Sequence, residues 1–155
     1  MSFELSSATH ARLSAEMAEL SGPFKVEIAK RIEEARALGD LSENGDYHAA
    51  KDEQGQKEAR LNDVKGVLEG AVIVEPRNDG SIGVLSKVTI DWGGGREETF
   101  LVGNIEEKVA GGPDVLTTDS ALGHALLDSK AGVGDSVSYL APNGKTLTIT
   151  VTKVA

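Results

Sequence analysis

Leu38-Gly39-Asp40-Leu41-Ser42-Glu43-Asn44-Gly45-Asp46 interrupts two stretches patterned for helix. Before it, Leu13, Met17, Leu20, Phe24, Ile28, Ile32 and Ala35 recur at steps of three or four. After it, Tyr47, Ala50, Gln54, Lys57, Leu61, Val64, Leu68 and Ala71 alternate steps of three and four, the spacing of a coiled-coil seam. Gln54 and Lys57 are polar at seam positions, so apolar contact cannot hold that part and polar pairs are predicted there. Gly39 suits a helix C-terminus, and Asp40, Ser42 and Asn44 are all N-cap types. A short loop between two long helices predicts an antiparallel hairpin. Pro23 lies inside the first pattern and predicts a kink or restart. About 30 residues each way at roughly 1.5 Å per residue give a rod on the order of 45 Å long. A thin two-helix rod buries little surface and is better explained as a probe that delivers its tip.

Beyond Glu75 the composition changes. Residues 1–74 hold eleven Ala and nine Val, Ile or Thr; residues 75–155 hold six and twenty-one. The first half is built for helix and the second for strands and turns. Glu75-Pro76-Arg77-Asn78-Asp79-Gly80 reads as a linker. The predicted organisation is a helical domain over 1–74, a linker over 75–80 and a sheet domain over 81–155. Strands are predicted at about 82–91, 97–103, 114–118, 135–140 and 145–154, with a short helix from Ser120 to Ser129 and a hairpin turn at Pro142-Asn143-Gly144-Lys145. The fold class is α+β, an antiparallel two-helix coiled coil followed by a small antiparallel sheet domain with a short helix.

Composition narrows the chemistry. The 155 residues carry a formal charge of −9 and no cysteine, which removes disulfides, thiolate metal sites and cysteine nucleophiles. Such an acidic chain repels free duplex DNA. No apolar run approaches the roughly 18 residues of a membrane span, and the N-terminus lacks a basic-then-apolar signal, so a cytoplasmic protein without a membrane role is expected. His10, His48 and His124 are too scattered for a metal site. Gly93-Gly94-Gly95 lacks the spacing of a phosphate loop and reads as a hairpin turn. The loop stands out instead. Asp40, Glu43 and Asp46 follow at steps of three, with no lysine or arginine between Arg36 and Lys51. Capping and the helix dipole account for Asp40 and Asp46. Glu43 incurs repulsion from two neighbours for no evident gain in folding. Magnesium commonly takes one or two protein carboxylates and fills its shell with other oxygens. The tip therefore reads as half of a hard-cation site, to be completed by something else.

Gly39 to Lys51, followed by Glu53-Gln54-Gly55, resembles the GreA-type transcription elongation (transcript-cleavage) factors of bacteria, whose pattern is close to GDLxENAEYHAA(K/R)xxQG. Thr118-Asp119-Ser120-Ala121-Leu122-Gly123-His124-Ala125-Leu126 is similar to the family's TDSPLGRAL stretch, and Gly132-Val133-Gly134-Asp135-Ser136-Val137 to its VGDxV stretch. The resemblance spans essentially the whole chain. It implies an N-terminal coiled coil and a C-terminal FKBP-like domain that docks on RNA polymerase, here through Asp119, Ser120, Leu122 and Gly123. The rod would enter the polymerase's secondary channel, where Asp40 and Glu43 would share a magnesium ion with the polymerase and promote its own hydrolysis of backtracked RNA. Arg36 and Lys51 would contact the nascent RNA 3′ end, and Ser42, Asn44, Asp46 and Tyr47 would support the tip. The factor would be a monomer, no enzyme by itself, holding no tightly bound metal alone. Gly45 and Asp46 stand where the family has Ala and Glu; Ala121 and His124 stand where Pro and Arg are common. Two other functions compete. The third tip acid, Asp46, suits a channel-blocking inhibitor of the same fold. An FKBP-like domain suggests prolyl isomerisation, but that pocket needs aromatic walls and this half offers Trp92, Phe100 and Tyr139.

Overall fold

The computed structural model describes residues 2–40 and 44–155. The chain divides into two compact units, one built on His10–Ala71 and the other on Phe3–Thr9 with Val72–Ala155. The fold is α+β.

The helical unit follows the sequence pattern closely. Helix α1 (Ser7–Ser21) stops before Gly22, and α2 (Pro23–Arg36) restarts with proline at its first position, where a missing N–H costs nothing. The restart expected at Pro23 is thus present. Helix α3 (Gly45–Glu69) returns antiparallel. Leu13, Leu20, Ile28, Ala35, Ala50, Leu61 and Val64 are buried. The heptad holds through Leu68, but Ala71 leaves the helix and opens β2 (Ala71–Ile73), because α3 ends at Glu69. In the middle of the seam Leu20, Phe24 and Ile28 face Gln54, Lys57 and Leu61 across an open groove. Among the described residues the polar pairs across the seam come from neighbouring positions, while Gln54 bonds within α3 to Lys51. Arg31 Nη1 meets Glu53 Oε2 at 2.8 Å. Arg60 grips Glu16 with two bonds, Nε to Oε1 at 2.7 Å and Nη2 to Oε2 at 2.9 Å. The Arg60 guanidinium holds the Glu16 carboxyl below its ordinary range, helped by the charges of Arg12 and Lys57 and opposed by partial burial.

In the second unit five strands line up in the order β5-β4-β3-β7-β6: β3 (Lys87–Asp91), β4 (Glu97–Val102), β5 (Asp114–Leu116), β6 (Ser136–Leu140) and β7 (Thr146–Val154). All neighbours are antiparallel except β4 and β5, which run parallel, so the sheet is mixed at one edge. Helix α4 (Ala121–Asp128) covers one face. The core is Ile82, Val88, Ile90, Val102, Leu122, Leu126, Ala131, Val137, Ile149 and Val151. The alternate β6 and β7 positions carry hydroxyl pairs, Ser136 with Thr150 and Ser138 with Thr148. The triglycine segment and Pro142–Lys145 both form the expected turns, with Gly93, Gly94, Gly95 and Gly144 at positive φ. The strand expected over 82–91 begins only at Lys87. Before it the chain tucks in: Leu85 takes φ +74, its N–H donates to Val102 O, and Ser86 Oγ accepts from Gly83 N–H.

Two features escaped the sequence pattern. Strand β1 (Phe3–Leu5) pairs with β2. Glu107, closing a 3-10 turn at Ile105–Glu107, is buried, and its carboxylate accepts Ser6 N–H at 3.0 Å, Ser6 Oγ at 2.7 Å and Thr9 Oγ1 at 2.9 Å. A carboxylate on the first turn of α1 complements that helix's orphan N–H groups and dipole.

Candidate functional site

The tip is built by how one helix stops and the next starts. The last turn of α2 closes with Leu38 N–H donating to Ala35 O at 3.1 Å and Gly39 N–H to Arg36 O at 3.4 Å. Gly39 then takes φ +119, a conformation open to glycine and strained for other residues. Asp40 follows it, exposed. Asn44 is the N-cap of α3: Oδ1 accepts Tyr47 N–H at 3.0 Å, and its own carbonyl accepts His48 N–H at 3.1 Å. Of the three capping candidates, Asn44 is the one that caps α3. Its Nδ2 also donates across the hairpin to Ala35 O.

Asp46 sits exposed in the first turn of α3, where a negative charge is favoured. Asp40 and Asp46 line one open depression with Leu38, Asn44 and Gly45. The structure thus brings two of the three predicted acids together. Ser42 and Glu43 lie outside the described residues. Tyr47 is half-buried and meets the His48 ring edge-on at 5.6 Å between centroids. Arg36 ends α2 and is exposed; Lys51 is exposed nearly two turns into α3, its Nζ 3.0 Å from Gln54 Oε1. Beneath the tip the helices meet through alanine: Ala35 and Ala50 are buried, and their small side chains let the backbones close. Leu38 is 72% exposed and was not singled out by the seam; an apolar side chain immediately before Gly39 was the available signal.

Among the described residues no group of three or more His, Asp or Glu side chains is arranged to hold a metal. Asp40 and Asp46 both present carboxylate oxygens at this depression.

The predicted docking residues divide by burial. Asp119 is exposed. Ser120 caps α4, its Oγ accepting Gly123 N–H at 3.1 Å and donating to Thr117 O at 2.7 Å. Leu122 lies in the core, and Gly123 is so close to the preceding turn that a Cβ there would sit 2.1 Å from Thr117 O. Leu122 and Gly123 therefore shape this corner from inside, while Asp119 is exposed and Ser120 partly exposed. Trp92 and Phe100 pack edge-to-face at 6.5 Å, with Trp92 Nε1 donating to Glu98 Oε2. Both rings are partly buried and pack against the sheet's core.

The fold and tip define a class: a two-unit protein whose helical hairpin ends in exposed carboxylates. Residues 3–73 match the family described as "Transcription elongation factor, N-terminal", and residues 77–155 match "Transcription elongation factor, GreA/GreB, C-term". Transcription elongation factor GreA of Mycobacterium tuberculosis is 40% identical over 151 residues, covering 95% of this chain and 90% of that protein. GreA of Mycobacterium leprae gives the same figures. A crystal structure of GreA factor homolog 1 (Gfh1) of Thermus thermophilus aligns over 100% of this chain and 99% of its own, with 25% identity and a TM-score of 0.45. The chain belongs to the GreA/GreB family of transcription elongation factors. No helix among the described residues is long and apolar enough to cross a membrane.

Proposed function

We propose that this protein is a transcript-cleavage factor that binds RNA polymerase, passes its hairpin through the secondary channel and stimulates the polymerase's own hydrolysis of backtracked RNA. One observation carries the reading: within the motif, Gly39 and Asp40 follow the end of α2, Asn44 caps the start of α3, and Asp40 and Asp46 are exposed at one depression. Magnesium commonly takes one or two protein carboxylates and fills its shell with other oxygens, so acids on a hairpin tip make good sense as a contribution to another catalyst's metal. The factor is then an accessory protein, not an enzyme, working as a monomer in the cytoplasm.

Asp40 and Glu43 are the proposed ligands of a magnesium ion shared with the polymerase, which supplies the remaining ligands. When bound, that ion stabilises developing negative charge and makes water a better nucleophile. The chain's own part is to aim carboxylates, hold a water by accepting its protons in hydrogen bonds, and fix the displaced strand. Arg36 and Lys51 flank the acids and are suited to phosphates of the nascent RNA 3′ end. Asp119 and the Ser120 corner are the proposed polymerase contact in the sheet unit. The net charge of −9 then favours entry into a basic channel over binding to free nucleic acid.

The test mixes the protein with a backtracked elongation complex and magnesium and follows RNA shortening. Wild type is expected to accelerate cleavage. Asp40→Ala with Glu43→Ala is expected to lose at least about 10- to 100-fold of that acceleration, the range attending loss of even outer-shell metal partners, with the helical content unchanged. Suppressed elongation without faster cleavage would instead identify the channel-blocking inhibitor, with Asp46 as its added acid.

A further inference from the structure

Asn44 does two things with one amide. Oδ1 accepts the Tyr47 N–H of α3, and Nδ2 donates to the Ala35 carbonyl of α2. The partners fix the amide's orientation. Turned over, it would set N–H against N–H and carbonyl against carbonyl. Capping alone does not require asparagine, since aspartate and serine cap helices about as well. Bridging does. A serine cap is too short to span to the other helix, and an aspartate carboxylate has no proton for Ala35 O. The bond also falls where apolar packing is thinnest. Ala35 and Ala50 are the buried side chains under the tip, and alanine contributes little contact area. A hydrogen bond between the two helix ends is what ties the loop's anchors together.

We propose that Asn44 is a positioning residue: its clasp on Ala35 O, separately from its cap on α3, fixes the ends of the tip loop and so sets where Asp40 stands relative to Asp46. This rests on the transcript-cleavage reading for its functional consequence, though not for its structural one. Carboxylates lent to another protein's reaction must arrive within fractions of an ångström, and a misplacement of about 1 Å can cost about 100-fold in rate.

The experiment compares full-length wild type with Asn44→Ser, Asn44→Asp and Asn44→Ala. Amide hydrogen exchange is read at Leu38, Gly39 and Tyr47. Cleavage stimulation is titrated against factor concentration on a backtracked complex. In the Ser and Asp variants the Tyr47 amide stays protected and helical content is kept, while Leu38 and Gly39 exchange roughly tenfold faster. The maximal cleavage rate falls roughly 10- to 100-fold, and the factor concentration for half-effect stays within about twofold, because docking is untouched. The Ala variant also loses protection at Tyr47. Wild-type maximal rate and wild-type exchange at Leu38 and Gly39 in Asn44→Ser would overturn the proposal. So would a fall confined to Asn44→Asp, which would assign the effect to added charge, or a loss of half-effect and helicity together, which would assign it to folding. A wild type that fails to stimulate cleavage would refute the functional reading, and the exchange arm would still decide the clasp.

Discussion

The sheet unit and the helical hairpin solve opposite problems. In the first, ten buried residues from four strands, α4 and adjoining loops converge on one core, and hydroxyl pairs such as Ser138 with Thr148 order the sheet's other face. In the second, burial thins along the rod. Leu13, Leu20, Leu61 and Val64 give way to Ile28 and then to Ala35 and Ala50 below the tip. Directional bonds run alongside this packing from Glu16 to Arg60 and Arg31 to Glu53, and at the tip, where the apolar area runs out, Asn44 bonds across both helices. Packing that ends in alanine permits a narrow tip, and a narrow tip can carry charge into a confined place.

Mutations can break this contrast. Leu126→Ala, at a fully buried position in α4, is expected to destabilise the sheet unit by about 2–5 kcal/mol in chemical denaturation. Truncation of the exposed Leu38 at the hairpin tip is expected to stay within about 0.5 kcal/mol. Glu107→Ala leaves the Ser6 and Thr9 donors without their shared acceptor and is expected to cost about 1–3 kcal/mol, with faster amide exchange in the first turn of α1. Gly55→Ala and Gly66→Ala act in the opposite direction. Both glycines lie inside α3 with open space where a Cβ would go, so each is expected to stabilise the hairpin by about 0.5–1 kcal/mol in thermal unfolding.

A small effect sharpens the electrostatic side. Glu16 has a lowered pKa in the folded state, so its contribution is present above the ordinary value of 4.5 and is lost as pH falls through and below it. Arg60→Met is expected to cost about 0.5–1 kcal/mol at neutral pH for this partly exposed pair. The difference from wild type should close as denaturation is repeated toward pH 3.

Local signals in the chain were legible where one residue's chemistry decides the backbone. Pro23 restarted a helix, Gly39 ended one, and the segments at 93–95 and 142–145 turned as their glycines require. Long-range pairings were not. Phe3–Leu5 is too short to declare a strand, and nothing in Ile105-Glu106-Glu107 announces that Glu107 would find Ser6 and Thr9 about a hundred residues earlier. Ile82 to Leu85 has the composition of a strand, yet Leu85 adopts positive φ because its N–H answers Val102 O from a turn. At the tip, periodicity located the acids and offered three caps but could not choose among them. Asn44 is the cap because its Oδ1 accepts Tyr47 N–H, and its further bond to α2 is one that sequence spacing does not encode. The name of the chemistry came from the resemblance of the motif, not from the spacing of its charges.

The most direct test of the central claim is a magnesium titration of RNA cleavage in a backtracked complex, with and without the factor. If the tip lends its carboxylates to a weakly held ion, wild type lowers the magnesium concentration needed for half-maximal cleavage, and Asp40→Ala with Glu43→Ala restores the value of the polymerase alone. An identical magnesium dependence with wild type, the double variant and no factor would contradict it.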